Sequence, residues 1–151
     1  MKLAEALIER ADLKTKLRSI ESRLMNNAKV QEGLEPSEDP KKLIEELNQL
    51  TERFLYLVVH INKTNELTIN REGKTISALI AERDALTQKH KILDNFIDAG
   101  SDLTSRISHS EIRTISTFNV AETQKILDDI SKQIRVTDTK IQELNWLTEL
   151  I

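Results

Sequence analysis

Apolar residues recur at intervals of three and four along four long segments, and this spacing constrains the fold more than any other feature of the sequence. Such spacing places apolar side chains on one face of an α-helix. The four stripes are Leu3, Ala6, Leu13, Leu17, Ile20 and Leu24; Leu43, Leu47, Leu50, Phe54, Leu57 and Ile61; Leu79, Leu86, Leu93 and Ile97; and Leu127, Ile130, Ile134, Thr137, Ile141 and Leu144. The sequence therefore predicts four long amphipathic helices.

Capping and turn-forming residues predict where these helices begin and end. The first helix should end before Gly33, and Asp39 should cap the second helix with Pro40 as its first residue. Gly100 is expected at the C-terminal position of the third helix. Asn119, followed three residues later by a glutamate, predicts the start of the fourth helix.

The residue patterns of two links between the helices predict short β segments. Residues 67–76 alternate weakly about a glycine, which is compatible with a small β-hairpin or an irregular link; the hairpin is preferred. Thr75 or Ser77 could then cap the third helix. Residues 111–118 are rich in β-branched side chains, which favours a short strand. The link that contains them, 101–118, is long for a helical bundle, as is typical of functional or interfacial segments.

The predicted fold is mainly all-α: an antiparallel four-helix bundle, or long helical hairpins, in one domain over residues 1–151. The profile of 31% charged and 3% aromatic residues is typical of long helices with solvated faces. A faint internal similarity relates residues 6–10 to 78–83 and residues 46–52 to 143–149. Two copies of a helical hairpin would produce it, although helical composition alone often gives such matches.

Charge and composition limit the partners of the chain. The 25 acidic and 22 basic residues are spread along its length, so no basic surface for nucleic acid is expected. Without cysteine, disulfides and thiolate chemistry are excluded, and a cytoplasmic location is expected. No secretory signal is recognisable, and the longest apolar run, 54–59, is far shorter than the roughly 20 residues that span a bilayer. Membrane association is therefore not expected.

Residues 54–61 are the most apolar stretch of the sequence, with His60 as their only strongly polar member. A helix that is apolar on all sides must be covered on all sides. Part of this stretch is therefore expected at a subunit interface of a homo-oligomer, a dimer or larger. The candidate interface residues are Phe54, Leu55, Tyr56, Val58 and Val59.

An up-and-down bundle would place several polar residues at one height, roughly 10 Å from the end that holds the 67–76 link. The candidate polar layer consists of Arg10, His60, Arg83 and Glu143, with the amides of Asn62 and Asn65 nearby. A guanidinium buried in a core must be paired. The available partners are Glu9, Glu82, Glu143 and the amides of Asn62 and Asn65. The layer is either a binding site or subunit-register device, or a set of arginines that reach solvent beside a packed histidine.

Catalytic patterns are weak. No histidine follows a glutamate at the spacing that di-iron bundles use, so no metal ligand is predicted. All-α nucleotide pyrophosphatases hold magnesium with acidic residues three apart, and the candidates here are Glu9 with Asp12 and Glu35 with Glu38. A solvated charged face gives the same pattern. No catalytic residue and no cofactor is predicted, and a metal-dependent nucleotide-processing enzyme is kept as an alternative.

Several dispersed segments, in order along nearly the whole chain, resemble the septicolysin-like family of uncharacterised bacterial all-helical proteins. They include Ile61-Asn62-Lys63-Thr64-Asn65 and Ile141-Gln142-Glu143-Leu144-Asn145-Trp146, with residues 6–13, 27–33, 38–40, 110–112 and 116–117. The resemblance implies an oligomeric helical bundle without an assigned reaction, and the family name implies a membrane-active cytolysin as a further alternative. The leading hypothesis is a self-associating structural or interaction module.

Overall fold

A computed structural model of the chain describes residues 1–103 and 113–151. It contains four helices: α1 (Leu3–Asn26), α2 (Pro40–Leu67), α3 (Ile76–Ser101) and α4 (Val120–Leu147). The prediction of an all-α protein built from four long helices is confirmed. Among the predicted stripe residues, those that are buried are Leu3, Ala6, Leu13, Ile20, Leu43, Leu57, Ile61, Leu79, Ile97, Leu127, Ile130, Thr137 and Ile141.

Contacts divide the chain into two compact units. The first unit comprises residues 1–75 and 144–151, and the second comprises residues 76–143. The boundary therefore runs through α4, between Glu143 and Leu144. The expectation of one domain over residues 1–151 stays a prediction.

The first unit contains an antiparallel hairpin of α1 and α2. Arg23, near the end of α1, forms ion pairs with Glu38 just before α2 and with Glu46 in its second turn. Glu9, near the start of α1, pairs instead with Arg53 in the middle of α2. Contacts that join the end of one helix to the start of the next require opposite helix directions.

Two of the predicted helix starts are confirmed in detail. The Asp39 side chain accepts a hydrogen bond from the Lys41 N–H at 2.9 Å, and Pro40 is the first residue of α2. The Asn119 side chain accepts a hydrogen bond from the Glu122 N–H at 3.1 Å, at the start of α4. Each cap satisfies an N–H group that has no partner within its helix.

The predicted role of Gly100 as a residue beyond the helix end is wrong. Helix α3 continues to Ser101, so Gly100 lies inside its last turn. A Cβ atom at this position would lie 2.5 Å from Cζ of Phe118, whose ring stacks on Phe96 with 4.0 Å between the ring centroids. The absence of a side chain at Gly100 makes room for this aromatic pair.

The predicted β segments are also wrong. The 67–76 link forms one isolated antiparallel bridge, between Ile69 and Thr75, around a turn in which Gly73 has a φ of 80°. The second segment was predicted over 111–118; residues 113–118 contain no strand, and residues 111 and 112 lie outside the described residues. Ile115 is 76% exposed. β-branched composition does not make a strand where no neighbouring strand pairs with it.

Helices α3 and α4 form a second hairpin, in which Arg83 in the first half of α3 contacts Asp138 in the second half of α4 at 3.4 Å. The two hairpins share several features of their sequences. Arg10 and Arg83 are each the eighth residue of their helices, and each follows a glutamate. The match between residues 6–10 and 78–83 thus holds for the Glu-Arg pair, whereas Ala6 and Ala78 lie at different positions in their helices because the second range is one residue longer. The proposed match of 46–52 with 143–149 is wrong, because the first range lies in the first half of α2 and the second runs past the end of α4.

The second helices of the two hairpins correspond more closely. Helices α2 and α4 both contain 28 residues and begin one residue after a capping Asp or Asn side chain. Both end in the pattern Ile-x-x-x-Asn-x-Leu-Thr, at 61–68 and 141–148. Each residue of α2 therefore corresponds to the residue 80 positions later in α4.

Candidate functional site

Helix α2 carries a row of interacting polar and aromatic side chains. The row consists of Arg53, Tyr56, His60 and Thr64, which we call the α2 row; their spacing of three and four residues places them on one side of the helix. The guanidinium carbon of Arg53 lies 5.1 Å from the centroid of the Tyr56 ring, within the range of a cation–π contact. The Tyr56 and His60 rings are tilted by 34°, with 4.0 Å between their centroids.

One end of the α2 row is bonded to α1. Arg53 donates two hydrogen bonds to the Glu9 carboxylate, from Nε to Oε1 at 2.6 Å and from Nη2 to Oε2 at 2.8 Å. Two parallel charge-assisted bonds fix the orientation of both side chains. The hydrogen bond from Arg53 lowers the pKa of Glu9 below its usual value.

The other end of the α2 row holds the segment that follows α4. The Ile151 N–H donates to Oγ1 of Thr64 at 3.0 Å, while the Thr64 hydroxyl donates to the main-chain oxygen of His60 at 2.8 Å. The Nδ1 atom of His60 is hydrogen-bonded to the main-chain oxygen of Ile151. Thr64 is fully buried, so its hydroxyl is satisfied by these two partners.

The same segment is bonded to the start of the chain. The Leu3 N–H donates to the main-chain oxygen of Thr148, and the Leu150 N–H donates to that of Met1, both at 2.9 Å. The Lys2 ammonium lies 2.7 Å from the Glu149 carboxylate, and the hydrogen bond from Lys2 lowers the pKa of this carboxyl. Residues 148–151 are therefore held between the start of α1 and the α2 row.

A second side of α2 exposes large apolar side chains. Leu55, Tyr56 and Val59 are 61%, 46% and 53% exposed, and we call these three residues the outer patch. Of the other predicted interface residues, Phe54 and Val58 are half-buried. Leu57, in the middle of the stretch, is fully buried in the core. This part of α2 is therefore apolar on both its inner and its outer side.

Four residues of the predicted polar layer lie in the first unit. Arg10 is half-buried in α1, and His60 occupies the α2 row. Asn62 is exposed and Asn65 is half-buried, both on α2. Glu9, which was an expected partner of Arg10, forms its ion pair with Arg53 instead.

The other two residues of the predicted layer lie in the second unit. Arg83 contacts the carboxylates of Asp84, at 2.8 Å, and Asp138, at 3.4 Å. The hydrogen bond to Asp84 raises the pKa of Arg83. Glu143 is exposed on α4. The structure thus gives Arg83 acidic partners other than the expected Glu82 and Glu143. Because its members are divided between the two units, the layer as a whole stays a prediction.

One residue of each acidic pair considered for magnesium is bonded to an arginine. Glu9 is bonded to Arg53, and Arg23 lowers the pKa of Glu38 by donating hydrogen bonds to it. Within residues 1–103 and 113–151, no three His, Asp or Glu side chains are grouped so that they could hold a metal ion. No helix in these ranges combines the length and the apolar character needed to cross a membrane.

Sequence reasoning missed Arg53 and Ile151 as members of the bonded network, and it did not identify the partners of Thr64. A usable signal was present, because Arg53, Tyr56, His60 and Thr64 recur at the spacing of one helix face. That face lies beside the apolar stripe of α2. The bond between Thr64 and Ile151 joins residues 87 positions apart, and no local pattern predicts it.

Comparison with known proteins places the chain among proteins without an assigned reaction. The structure is similar to the crystal structure of a functionally unknown conserved protein from Corynebacterium diphtheriae, with a TM-score of 0.92 and 38% sequence identity. The match covers 100% of this chain and 99% of the other. A comparison with curated proteins gave no match.

A family comparison covers almost the whole sequence. Residues 10–150 match a family of unknown function (DUF6847). Neither this family description nor that of the corynebacterial protein mentions a septicolysin, so that resemblance stays a prediction. With its match over nearly the full length, the chain belongs to this family of unknown function, DUF6847.

Proposed function

We propose that this protein is a self-associating structural module whose subunit interface is the outer patch of α2. The observation that carries the proposal is the exposure of Leu55, Tyr56 and Val59 next to one another on a single helix. Single exposed apolar residues are common and need no explanation, whereas a cluster of them marks an interaction site.

The repeated hairpin provides an internal comparison for this patch. In α4, Tyr56 corresponds to Val136, which is 47% exposed, while the positions that correspond to Leu55 and Val59 are occupied by Arg135 and Thr139, both exposed. The hairpin therefore forms with polar residues at these positions, and folding does not require Leu55 and Val59 to be apolar. Selection for an interface gives a reason for the difference between the two helices.

The contacts of the α2 row support the same proposal. Tyr56 belongs to both the row and the outer patch, and it is held between the Arg53 guanidinium and the His60 ring. Arg53 is itself fixed by two bonds to Glu9. An aromatic side chain that is already ordered loses little conformational entropy on binding. The row thus pre-organises the largest residue of the interface.

The size of the patch limits the affinity. Burying a Leu or Val side chain contributes roughly 1.5–3 kcal/mol, and association must overcome the loss of translational and rotational freedom. An interface centred on one helix from each subunit lies at the small end of specific interfaces, roughly 1,200 Å² or less in total. We expect a dissociation constant in the micromolar range, which corresponds to about 8 kcal/mol.

The test transfers the outer surface of α4 to α2. The double variant Leu55→Arg/Val59→Thr should keep the helix content and thermal stability of the wild type, because both side chains are exposed, but it should be monomeric in analytical ultracentrifugation. Ile92→Thr removes an equally exposed apolar side chain from α3 and should leave self-association unchanged. A double variant that associates as strongly as the wild type would overturn the proposal.

A further inference from the structure

We infer that the α2 helices of two copies pack antiparallel about a twofold axis, so that Glu52 of each copy faces Lys63 of the other. This inference rests on the proposed function, because it specifies how a second copy covers the outer patch. It adds a register, a direction and two intermolecular ion pairs to the apolar contact.

Glu52 and Lys63 flank the outer patch on the same side of α2. They are 11 residues apart, which is close to three full turns, so their side chains leave the helix in nearly the same direction. Both residues are exposed. Glu52 precedes Leu55 by three residues, and Lys63 follows Val59 by four. The outer surface of α2 therefore carries a negative charge, an apolar centre and a positive charge in sequence.

The order of these charges determines the direction of packing. In a parallel pair of α2 helices, Glu52 would lie beside Glu52 and Lys63 beside Lys63, and like charges at an interface weaken association. In an antiparallel pair, each Glu52 lies opposite a Lys63. A twofold axis makes the contact reciprocal, so one pair of residues on the sequence gives two ion pairs in the dimer.

The register set by these charges also aligns the apolar residues. When Glu52 lies opposite Lys63 of the second copy, the centre of the contact falls between Leu57 and Val58. Tyr56 then lies opposite Val59 of the second copy, and Val59 lies opposite Tyr56. The charge pairs and the apolar contacts are therefore satisfied by a single arrangement, as an isologous interface requires.

Helix α4 gives a matched control. The residues that correspond to Glu52 and Lys63 are Lys132 and Glu143, and the residues between them at the patch positions include Arg135 and Thr139. Thus α4 has flanking charges of both signs, but only one of its three patch positions is apolar: Val136, which corresponds to Tyr56 and is 47% exposed. A charge reversal at Lys132 should change the net charge of the protein by two units, as a reversal of Glu52 or Lys63 does. It should not affect self-association.

The experiment is a charge-reversal cycle measured by sedimentation equilibrium. Glu52→Lys and Lys63→Glu should each weaken self-association by about tenfold or more, because each places two like-charge pairs in the dimer. The double variant Glu52→Lys/Lys63→Glu restores opposite charges and should return the dissociation constant to within about threefold of the wild type. Lys132→Glu should match the wild type, and circular dichroism should show that all variants are folded.

The outcomes separate this inference from the proposed function. If the wild type dimerises but the single reversals leave its dissociation constant unchanged, or the double variant is no better than the single ones, the antiparallel register is wrong while self-association stands. If the wild type is monomeric at every concentration, both the register and the proposed function are wrong.

Discussion

Glu9 of α1 and Arg53 of α2 form an ion pair with two hydrogen bonds, at 2.6 and 2.8 Å, and this pair joins the two helices of the first hairpin. It also sets the position of the guanidinium that lies against the Tyr56 ring. The corresponding residue of α4 is Gln133, which cannot form a charged pair of this kind. The two hairpins therefore share a backbone pattern but differ in the contacts that hold them.

Replacement of Arg53 should change how stability depends on pH. The pKa of Glu9 is lowered in the folded state, so the pair stabilises the fold fully above the ordinary value of 4.5 and loses its effect as the pH falls through the lowered pKa. Arg53→Met should therefore lower the melting temperature at pH 7. The difference from the wild type should shrink as the pH falls below 4.5, in melting curves followed by circular dichroism.

A matched control for this prediction is Arg18→Met. Arg18 is exposed in the same helix as Glu9, and its replacement should have little effect at any pH. Carboxyl titration by NMR gives a second measurement: the pKa of Glu9 should rise toward its ordinary value in Arg53→Met. A Glu9 pKa that stays low in this variant would mean that Arg53 is not its cause.

Thr64→Val should destabilise the first unit. The variant keeps the shape of the side chain but removes the acceptor of the Ile151 N–H and the donor to the main-chain oxygen of His60. Loss of a hydrogen-bond partner at a fully buried site costs about 1–3 kcal/mol in the free energy of unfolding. Urea denaturation measures this change.

The control for this prediction is Thr51→Val on the same helix. Thr51 is exposed, and its hydroxyl donates only to the main-chain oxygen four residues earlier, at 2.8 Å. Its replacement should change the free energy of unfolding by less than about 0.5 kcal/mol. Equal effects of the two substitutions would contradict the stabilising role of the bond between Thr64 and Ile151.

Gly100→Ala should destabilise the second unit, although alanine normally stabilises a helix. Helix propensity alone predicts a gain of about 0.5–1 kcal/mol. The new Cβ would overlap the Phe118 ring, which must then move from its stacking position on Phe96. Overpacking of this kind costs about 1–3 kcal/mol, so the net change in the free energy of unfolding should be a loss of about 1 kcal/mol.

The sign of this effect should reverse when the ring is absent. In a Phe118→Ala background the overlap with the ring is gone, and Oγ of Ser116, 3.2 Å from the new Cβ, has to shift by only a few tenths of an ångström. Gly100→Ala should then stabilise the helix by up to about 0.5–1 kcal/mol. Denaturation of the two single variants and the double variant completes the cycle. If Gly100→Ala has the same effect in both backgrounds, the contact with Phe118 is not the reason for glycine at this position.

Sequence reasoning predicted the features that depend on local order. The spacing of apolar residues gave the four helices, and Asp39 and Asn119 marked helix starts that the structure confirms. Caps and helix faces are determined by residues within a few positions of one another. The same reasoning placed Phe54 to Val59 on a helix that is apolar on more than one side, as the exposure of Leu55 and Val59 confirms.

Features that depend on distant contacts were not predictable in the same way. Glu9 was one of several partners available to the arginines of the predicted polar layer, but α2 brings Arg53 to it from 44 positions away. Glycine is common at helix ends, so the helix was expected to end at Gly100. The reason for a glycine there is instead the packing of Phe118 against it. The β-branched residues of 113–118 favoured a strand, but no strand lies beside them among the described residues to pair with it.

The molar mass of the wild-type protein in solution tests the central claim most directly. Sedimentation equilibrium from about 1 μM to about 1 mM covers dissociation constants that correspond to roughly 4–8 kcal/mol. Self-association through the outer patch predicts a reversible, concentration-dependent shift from the chain mass of 17.3 kDa to twice that value. A mass of 17.3 kDa at every concentration would contradict it.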